Sequence, residues 1–432
     1  MTVQTPDLPQ TVRKPQHAVF FRQSGWLMIA NIVGGAMTFG VHFLNKRIPD
    51  AEYSIFGMLL MVTAVLPTMP LQMVFAQQTA SALATGRERQ VAGMIRLAWL
   101  WLLALWLAGA AGIWMCQGWI VNHWELGSPV ALWITMFTVL FSLLTPMLAG
   151  VLQGCQDFFW LGWSNILGGA CRLGGAAVLV LAFGMGAAGM MTGALVGMLI
   201  GVIIGVSQTR GLWSLKRESF DGKNLLKQIV PLSLGFGACQ FMFTSDTIFA
   251  KAHFTGDEMA PYVAAGTLSR GLLWLVLPLA AVMFPKLVHS HAKAEKNNLL
   301  GIVLAGTAVL AVCGGFGLWL VGPLVIKVVF KTAWMGSAIA LLPWYAAAMV
   351  PLALANVLAN DLLARGRFRA VPFMVLLAIA YGFGLPYVLT HYPKKLEHVL
   401  QTLAAANFLL LCVCAWAAFG KRSKSPSPAA AV

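Results

Sequence analysis

The chain predicts an all-α, polytopic membrane protein of about 12 transmembrane helices in two pseudo-symmetric six-helix bundles. Three observations predict it. The first is composition: of 432 residues, 59% are hydrophobic and only 10% are charged, where soluble domains carry about 25% charged residues. The second is run length. Leu97 to Cys116 reads LAWLWLLALWLAGAAGIWMC, and about 20 apolar residues span a bilayer core as a helix. Helix is the default there because lipid offers no partner to a backbone amide. The third is an internal repeat that emerges as the spans are taken in order.

The first 16 residues are polar and contain proline, and no small-residue cleavage site follows the first apolar run. Residues 24–44 therefore read as a retained first span and not as a cleaved signal. Span two, 55–78, carries Pro67 and Pro70, each of which removes a backbone hydrogen bond and permits a bend. Spans three to five follow at 97–116, 130–150 and 164–183. Span six, 187–207, sets Gly189, Gly193, Gly197, Gly201 and Gly205 at every fourth position. Such a stripe lets a second helix approach closely. The longest polar connection, 208–228, comes next. Spans seven to twelve lie at 229–251, 260–285, 299–321, 336–358, 372–390 and 399–419.

The second six spans echo the first. LAGVLQG at Leu148 returns as LANVLAN at Leu354, Asp50 before span two returns as Asp257 before span eight, and Val65-Leu-Pro returns as Val276-Leu-Pro. The order is kept and the offset stays between 206 and 211 residues, which reads as a duplicated unit. The expected organisation is a tail over 1–23, a bundle over 24–207, a linker over 208–228, a second bundle over 229–420 and a tail over 421–432. Halves separated by six spans share one orientation, so a cavity is expected between them.

The net charge of +15 sits in short loops between apolar runs, which points to topology and not to nucleic acid. With the N-terminus in the cytoplasm, 20 of the 29 Lys and Arg fall in cytoplasmic segments and seven in outer loops. Both termini are therefore expected inside. The seven cysteines show no metal-site spacing, and no cofactor is expected. The outer-loop acids Asp50, Glu52, Glu125, Asp257, Glu258 and Glu397 form no evident catalytic pair, which argues against a membrane-bound transferase.

A charge at mid-membrane costs roughly 2.5–3.5 kcal/mol on insertion scales and is a functional candidate by default. Span seven holds Asp246 and ends at Lys251. Its Ser233, Gly237, Gln240, Thr244, Thr247 and Lys251 share a face, with Asp246 about 100° off it. Arg270 lies in span eight, about 7 Å deeper than Asp246 and within reach of its own side chain. Arg172 lies about eight residues into span five, on a face with Asn165, Gly168 and Gly175. Span one has Asn31, Thr38 and His42 on one face and Arg22 at its cytoplasmic mouth. Arg270, Arg172, Arg22 and Lys251 together make a cationic cavity, and guanidinium groups grip phosphates through paired hydrogen bonds. Asp246 either balances Arg270 or couples to a proton or sodium ion.

The segment SDTIFAKAHFTGDEMAPYVAAGTLSRGLLWLVLPLAAVMFPKL from Ser245, LANVLANDLLARGRFR from Leu354, the central basic linker and the span count resemble the polysaccharide-biosynthesis branch of the MOP superfamily, which includes O-antigen flippases. The resemblance covers nearly the whole chain. It implies two lobes that open alternately to either side of a bacterial inner membrane. It also implies a cavity for the diphosphate of a polyprenyl-linked glycan, with the lipid tail in the bilayer. Two departures bear on it: lipid II flippases of the superfamily have 14 spans, and the span-one acid of MATE antiporters is absent. A MATE-type efflux antiporter coupled through Asp246 is the competing expectation.

Overall fold

The computed structural model describes residues 16–216, 218, 220, 222–273, 299–392 and 395–420. Thirteen helices run through them: α1 (Gln16–Gly40), α2 (Asp50–Ala64), α3 (Met69–Ala84), α4 (Glu88–His123), α5 (Val130–Gly154), α6 (Phe158–Leu181), α7 (Ala187–Ser214), α8 (Gly222–Lys251), α9 (256–273), α10 (Leu299–Val329), α11 (Met335–Ala364), α12 (Val371–His391) and α13 (Leu396–Phe419). Eleven segments are long and apolar enough to cross a membrane, α2 and α3 counting as one. They match eleven of the twelve expected spans. The twelfth begins as α9; the rest of it, with Pro278 and Pro285, lies outside the described residues.

The bend expected in span two is a break. α2 stops at Ala64, α3 restarts at Met69 with Pro70 in its first turn, and Thr68 N–H turns back to the Leu66 carbonyl at 2.9 Å. Proline at 67 has no N–H to continue the ladder. The linker is shorter than its polarity implied, because α7 runs on to Ser214 and α8 starts at Gly222. Arg96 of α4 clamps the connection by donating to the carbonyls of Trp213 and Leu215, the latter at 3.0 Å.

Backbone contact builds the first lobe. A Cβ on Gly34 would stand 2.5 Å from the Asn165 carbonyl, so α1 lies directly on α6. On the other side of α6, a Cβ on Gly193 would meet Ala176 and the Arg172 carbonyl at 2.6 Å, and one on Gly197 would meet the Gly168 carbonyl at 2.5 Å. The span-six stripe is thus a packed seam with α6, extended by Gly205 against Leu148 of α5. Without a hydrophobic drive between helices in lipid, this proximity is what holds them. In the second lobe, α11 and α13 are tied by the buried Asn407 amide donating to the Ala348 carbonyl at 2.8 Å.

The two lobes meet most tightly at the end opposite the termini, here the distal end. One buried cluster there draws Val41, Tyr53 and Phe56 from the first lobe and Tyr262, Phe330 and Trp334 from the second. A separate cluster around Phe75, Met94 and Leu148 lies toward the terminal end of the first lobe and takes in Leu225 from the start of α8.

Candidate transport site

Asp246 and Arg270 are brought together. α8 presents the carboxylate and α9 the guanidinium, and both are buried, at 0% and 4% exposure. Arg270 Nη2 donates to both carboxylate oxygens, at 2.6 and 2.8 Å, and to Thr247 Oγ1 at 2.9 Å. Its Nε donates to the Phe243 carbonyl at 3.1 Å. Asp246 and Thr247 lie on different faces of α8, yet one guanidinium spans both. Tyr262 donates to Asp246 Oδ2 at 2.7 Å, and Tyr345 of α11 approaches the same oxygen at 3.4 Å. The rings of Phe243 and Tyr345 each lie 5.7 Å from the guanidinium carbon. The unit is therefore electrically closed in this state. A phosphate approaching Arg270, or a cation approaching Asp246, must first displace the other partner.

Lys251 is also buried, at 3%. It closes the distal end of α8 and reaches Glu125 of the first lobe at 3.4 Å. A second bridge between lobes lies nearby. Lys331 Nζ binds Asp50 Oδ1 at 2.5 Å and the Ile48 carbonyl at 2.7 Å, while Trp334 Nε1 donates to Asp50 Oδ2 at 2.7 Å. Lys46 and Asn45 donate to the Val328 and Val329 carbonyls at 2.6 and 2.8 Å. The distal acids thus do pair: Asp50 and Glu125 bind lysines of the opposite lobe, and Glu52 accepts from Ala187 N–H at 2.7 Å at the start of α7. Pairing of residues 126 to 281 apart in sequence left no local signal.

Arg172 belongs to the other lobe. α6 starts at Phe158, six residues earlier than the apolar pattern indicated, so Arg172 lies about 21 Å along it at 1.5 Å per residue. Snorkelling to the terminal end is out of reach at that depth. Among the described residues Arg172 makes no hydrogen bond or ion pair, and its Nε is buried without a partner. It shares a face with Asn165, which donates to Asn31 at 2.6 Å in an exposed position. That face is opposite the exposed stripe of Leu167, Val178 and Leu181. His42, in the 3-10 segment Val41–Arg47 that follows α1, shares a hydrogen bond with Tyr53 Oη at 2.8 Å and is buried. Arg22 lies in α1, with its side chain outside the described residues.

Sequence reasoning missed Tyr262 and Tyr345. The signal was a phenol inside an apolar span, since a tyrosine hydroxyl buried in lipid needs a partner. Among the described residues no three His, Cys, Asp or Glu gather as a metal site.

Two lobes, with eleven spans among the described residues, meet most tightly at one end and carry buried charges inside their spans, the architecture of a transporter fold. Solved structures share it. An inward-facing multidrug resistance MATE transporter of the MOP superfamily matches with a TM-score of 0.72 at 12% identity, over 90% of this chain and 93% of that one. The outward-facing conformation of such a transporter matches at 0.62 and 12%, over 91% and 94%. The lipid II flippase MurJ in an inward closed conformation matches at 0.66 and 14%, over 92% and 87%. At these identities the likeness is one of fold. The family follows from sequence: the family described as lipid II flippase MurJ matches residues 29–428, and the chain belongs to it. Its members are transporters and not enzymes. The match is to lipid II flippases, and the O-antigen branch that the sequence resembles is not the family matched. No curated protein matches the chain.

Proposed function

We propose that the chain flips a polyprenyl-diphosphate-linked glycan across the bacterial inner membrane by alternating access, with its terminal end in the cytoplasm. The observation that carries this is the asymmetry of lobe contact. At the distal end the lobes are bolted by Asp50–Lys331, Glu125–Lys251 and two backbone-directed bonds. Away from the distal end the described side-chain bonds between lobes carry no ion pair: the Gln240 amide donates to the Ala64 carbonyl at 2.7 Å, and Gln78 donates to Gln228 at 3.0 Å. On that side the exposed Asn31–Asn165 pair faces away from the lipid stripe, as polar side chains do around a wet opening. The excess of Lys and Arg in the loops on this side supports a cytoplasmic orientation for it.

The diphosphate is the shared chemistry of lipid II and polysaccharide precursors, and it suits a cationic path. In this state Arg270 and Lys251 are neutralised, and the reading leaves Arg172 and Arg22 as the cations for the substrate. Lys251 becomes available when the distal end opens, because its partner Glu125 sits on the other lobe. Arg270 stays paired, because Asp246 moves with it. The same pairing weighs against a cation-coupled antiporter working through Asp246, whose oxygens are already filled.

The test is flipping of a fluorescent polyprenyl-diphosphate sugar in proteoliposomes, with peptidoglycan-type and polysaccharide-type head groups compared. Transport of either, arrested by an oxidised Asp50→Cys/Lys331→Cys pair and restored by reduction, is expected. Absence of transport for both head groups, or transport unaffected by the crosslink, refutes the reading.

A further inference from the structure

We propose that the connection between the lobes, together with the start of α8, is mechanically part of the first lobe, held there by Arg96, and that the second lobe turns on it at Pro231. Chain order alone puts everything after α7 outside the first lobe. The packing does not. A side chain at Gly93 of α4 is ruled out by the connection, because a Cβ there would run into the Glu218 carbonyl. A Cβ on Gly222 would stand 2.8 Å from the Trp101 ring and 2.9 Å from Leu97. Between these two contacts, Phe220 packs against the first-lobe cluster. Arg96 holds the near end through the Trp213 and Leu215 carbonyls, the latter at 3.0 Å. Trp213 also stands edge-on to Trp99, with ring centroids 5.3 Å apart. One stretch of α4, residues 93–101, thus carries the crossing.

The start of α8 continues the attachment. Leu225 is buried inside the first-lobe cluster and Ile229 packs against it, while Gln228 is bonded to Gln78 of α3. These positions recur at three and four residues and so share one face. Leu232 touches that cluster and also the second-lobe cluster of Phe236, Leu363 and Val371. From there α8 packs on the second lobe, where a Cβ on Gly235 would stand 2.9 Å from the Leu363 side chain. Allegiance therefore changes within one turn of Pro231. That proline lies inside the helix and offers no N–H to the Lys227 carbonyl. A helix interrupted in this way bends there. Contact with the first lobe beyond Pro231 includes the break between α2 and α3, where Gln240 donates to the Ala64 carbonyl at 2.7 Å and the Cβ position of Gly237 is 3.6 Å from the Pro67 ring. Two proline-interrupted helices face each other there. On this account the Gln78–Gln228 bond lies within one moving body and does not resist opening of the terminal end.

The test is distance measurement by pulsed electron resonance between spin labels, in a background whose exposed cysteines are replaced by alanine. One pair joins Arg89→Cys on α4 to Leu226→Cys at the start of α8. The other joins Arg89→Cys to Phe368→Cys in the second lobe. All three positions are exposed. Asp50→Asn with Glu125→Gln removes both ionic bolts and releases the distal end, and Gly57→Val is a second route to the same state. The expected result is a shift in the Arg89–Phe368 distance while the Arg89–Leu226 distance stays as in wild type. Arg96→Gln should broaden the Arg89–Leu226 distribution, and Arg96→Lys should broaden it less. An Arg89–Leu226 distance that moves in step with Arg89–Phe368 overturns the proposal and makes the start of α8 part of the second lobe. So does a released distal end with neither distance changed, because nothing then turns at Pro231. An Arg96→Gln distribution as narrow as wild type overturns the clamp. The motion rests on the alternating-access reading, but the readout is geometry. Lobes that move as expected in a protein that flips neither head group would uphold this inference and refute that reading.

Discussion

Replacing Asp246 with Asn is the sharpest perturbation of the second lobe. The change keeps the shape and leaves an acceptor for Tyr262, but it strands the Arg270 charge at 4% exposure. The loss can be worked two ways. Charge centres about 4 Å apart attract by about 4 kcal/mol at an effective dielectric of 20. Breaking a buried pair from one side costs roughly 3–5 kcal/mol in measured cases. Asp246→Asn should therefore lose about 3–5 kcal/mol, a large part of the stability of any fold. Adding Arg270→Gln removes the stranded charge, and the double variant should recover most of the loss. Unfolding in detergent, read by the fluorescence of the 16 tryptophans, gives the four corners of a double-mutant cycle. Sodium at constant ionic strength should leave wild-type stability unchanged, because no carboxylate oxygen is free to bind it. A single variant as stable as wild type, a double variant as damaged as the single, or a sodium-dependent rise would each refute the closed-pair account.

Three further outcomes follow. Gly57 of α2 faces the Val263 side chain across the lobe boundary, so Gly57→Val should wedge the distal end apart. Alkylation of a cysteine at position 50 from outside intact cells should then rise several-fold over the Gly57 background. Asn407→Leu leaves the Ala348 carbonyl buried without its donor and should cost about 1–3 kcal/mol, read as a lower Tm with the flipping rate per folded molecule unchanged. Cys155, between α5 and α6, has its thiol pushed up by burial and then by Asp157 and Glu88. Less thiolate is present at any given pH, so its alkylation should set in at higher pH than a free thiol's. Asp157→Asn keeps the cap on Trp160 N–H and should move the profile back toward lower pH.

The fold was legible because lipid imposes a simple rule. Each apolar run of about 20 residues must be a helix, and runs such as Leu97 to Cys116 have no other reading. Helix ends were less legible. The polar residues of Gln208 to Gln228 read as a linker, but α7 and α8 carry most of them as helical extensions beyond the apolar core. The start of α6 was missed for a related reason: Phe158 to Trp163 is aromatic-rich and follows a polar turn, so the hydrophobic window opened late. Asp157 before it accepts from Trp160 N–H at 3.3 Å, a cap that marked the true start.

The charges show where a linear reading stops. Span assignment identifies Asp246, Arg270 and Arg172 as equally anomalous, each a charge in lipid. What separates them is which helices lie side by side. α8 and α9 are joined by a short turn, so Asp246 and Arg270 were within reach on depth alone. α6 instead packs on α1 and α7 through glycines, and neither helix offers a carboxylate at the depth of Arg172. One lobe therefore carries its cation neutralised, and the other carries it bare.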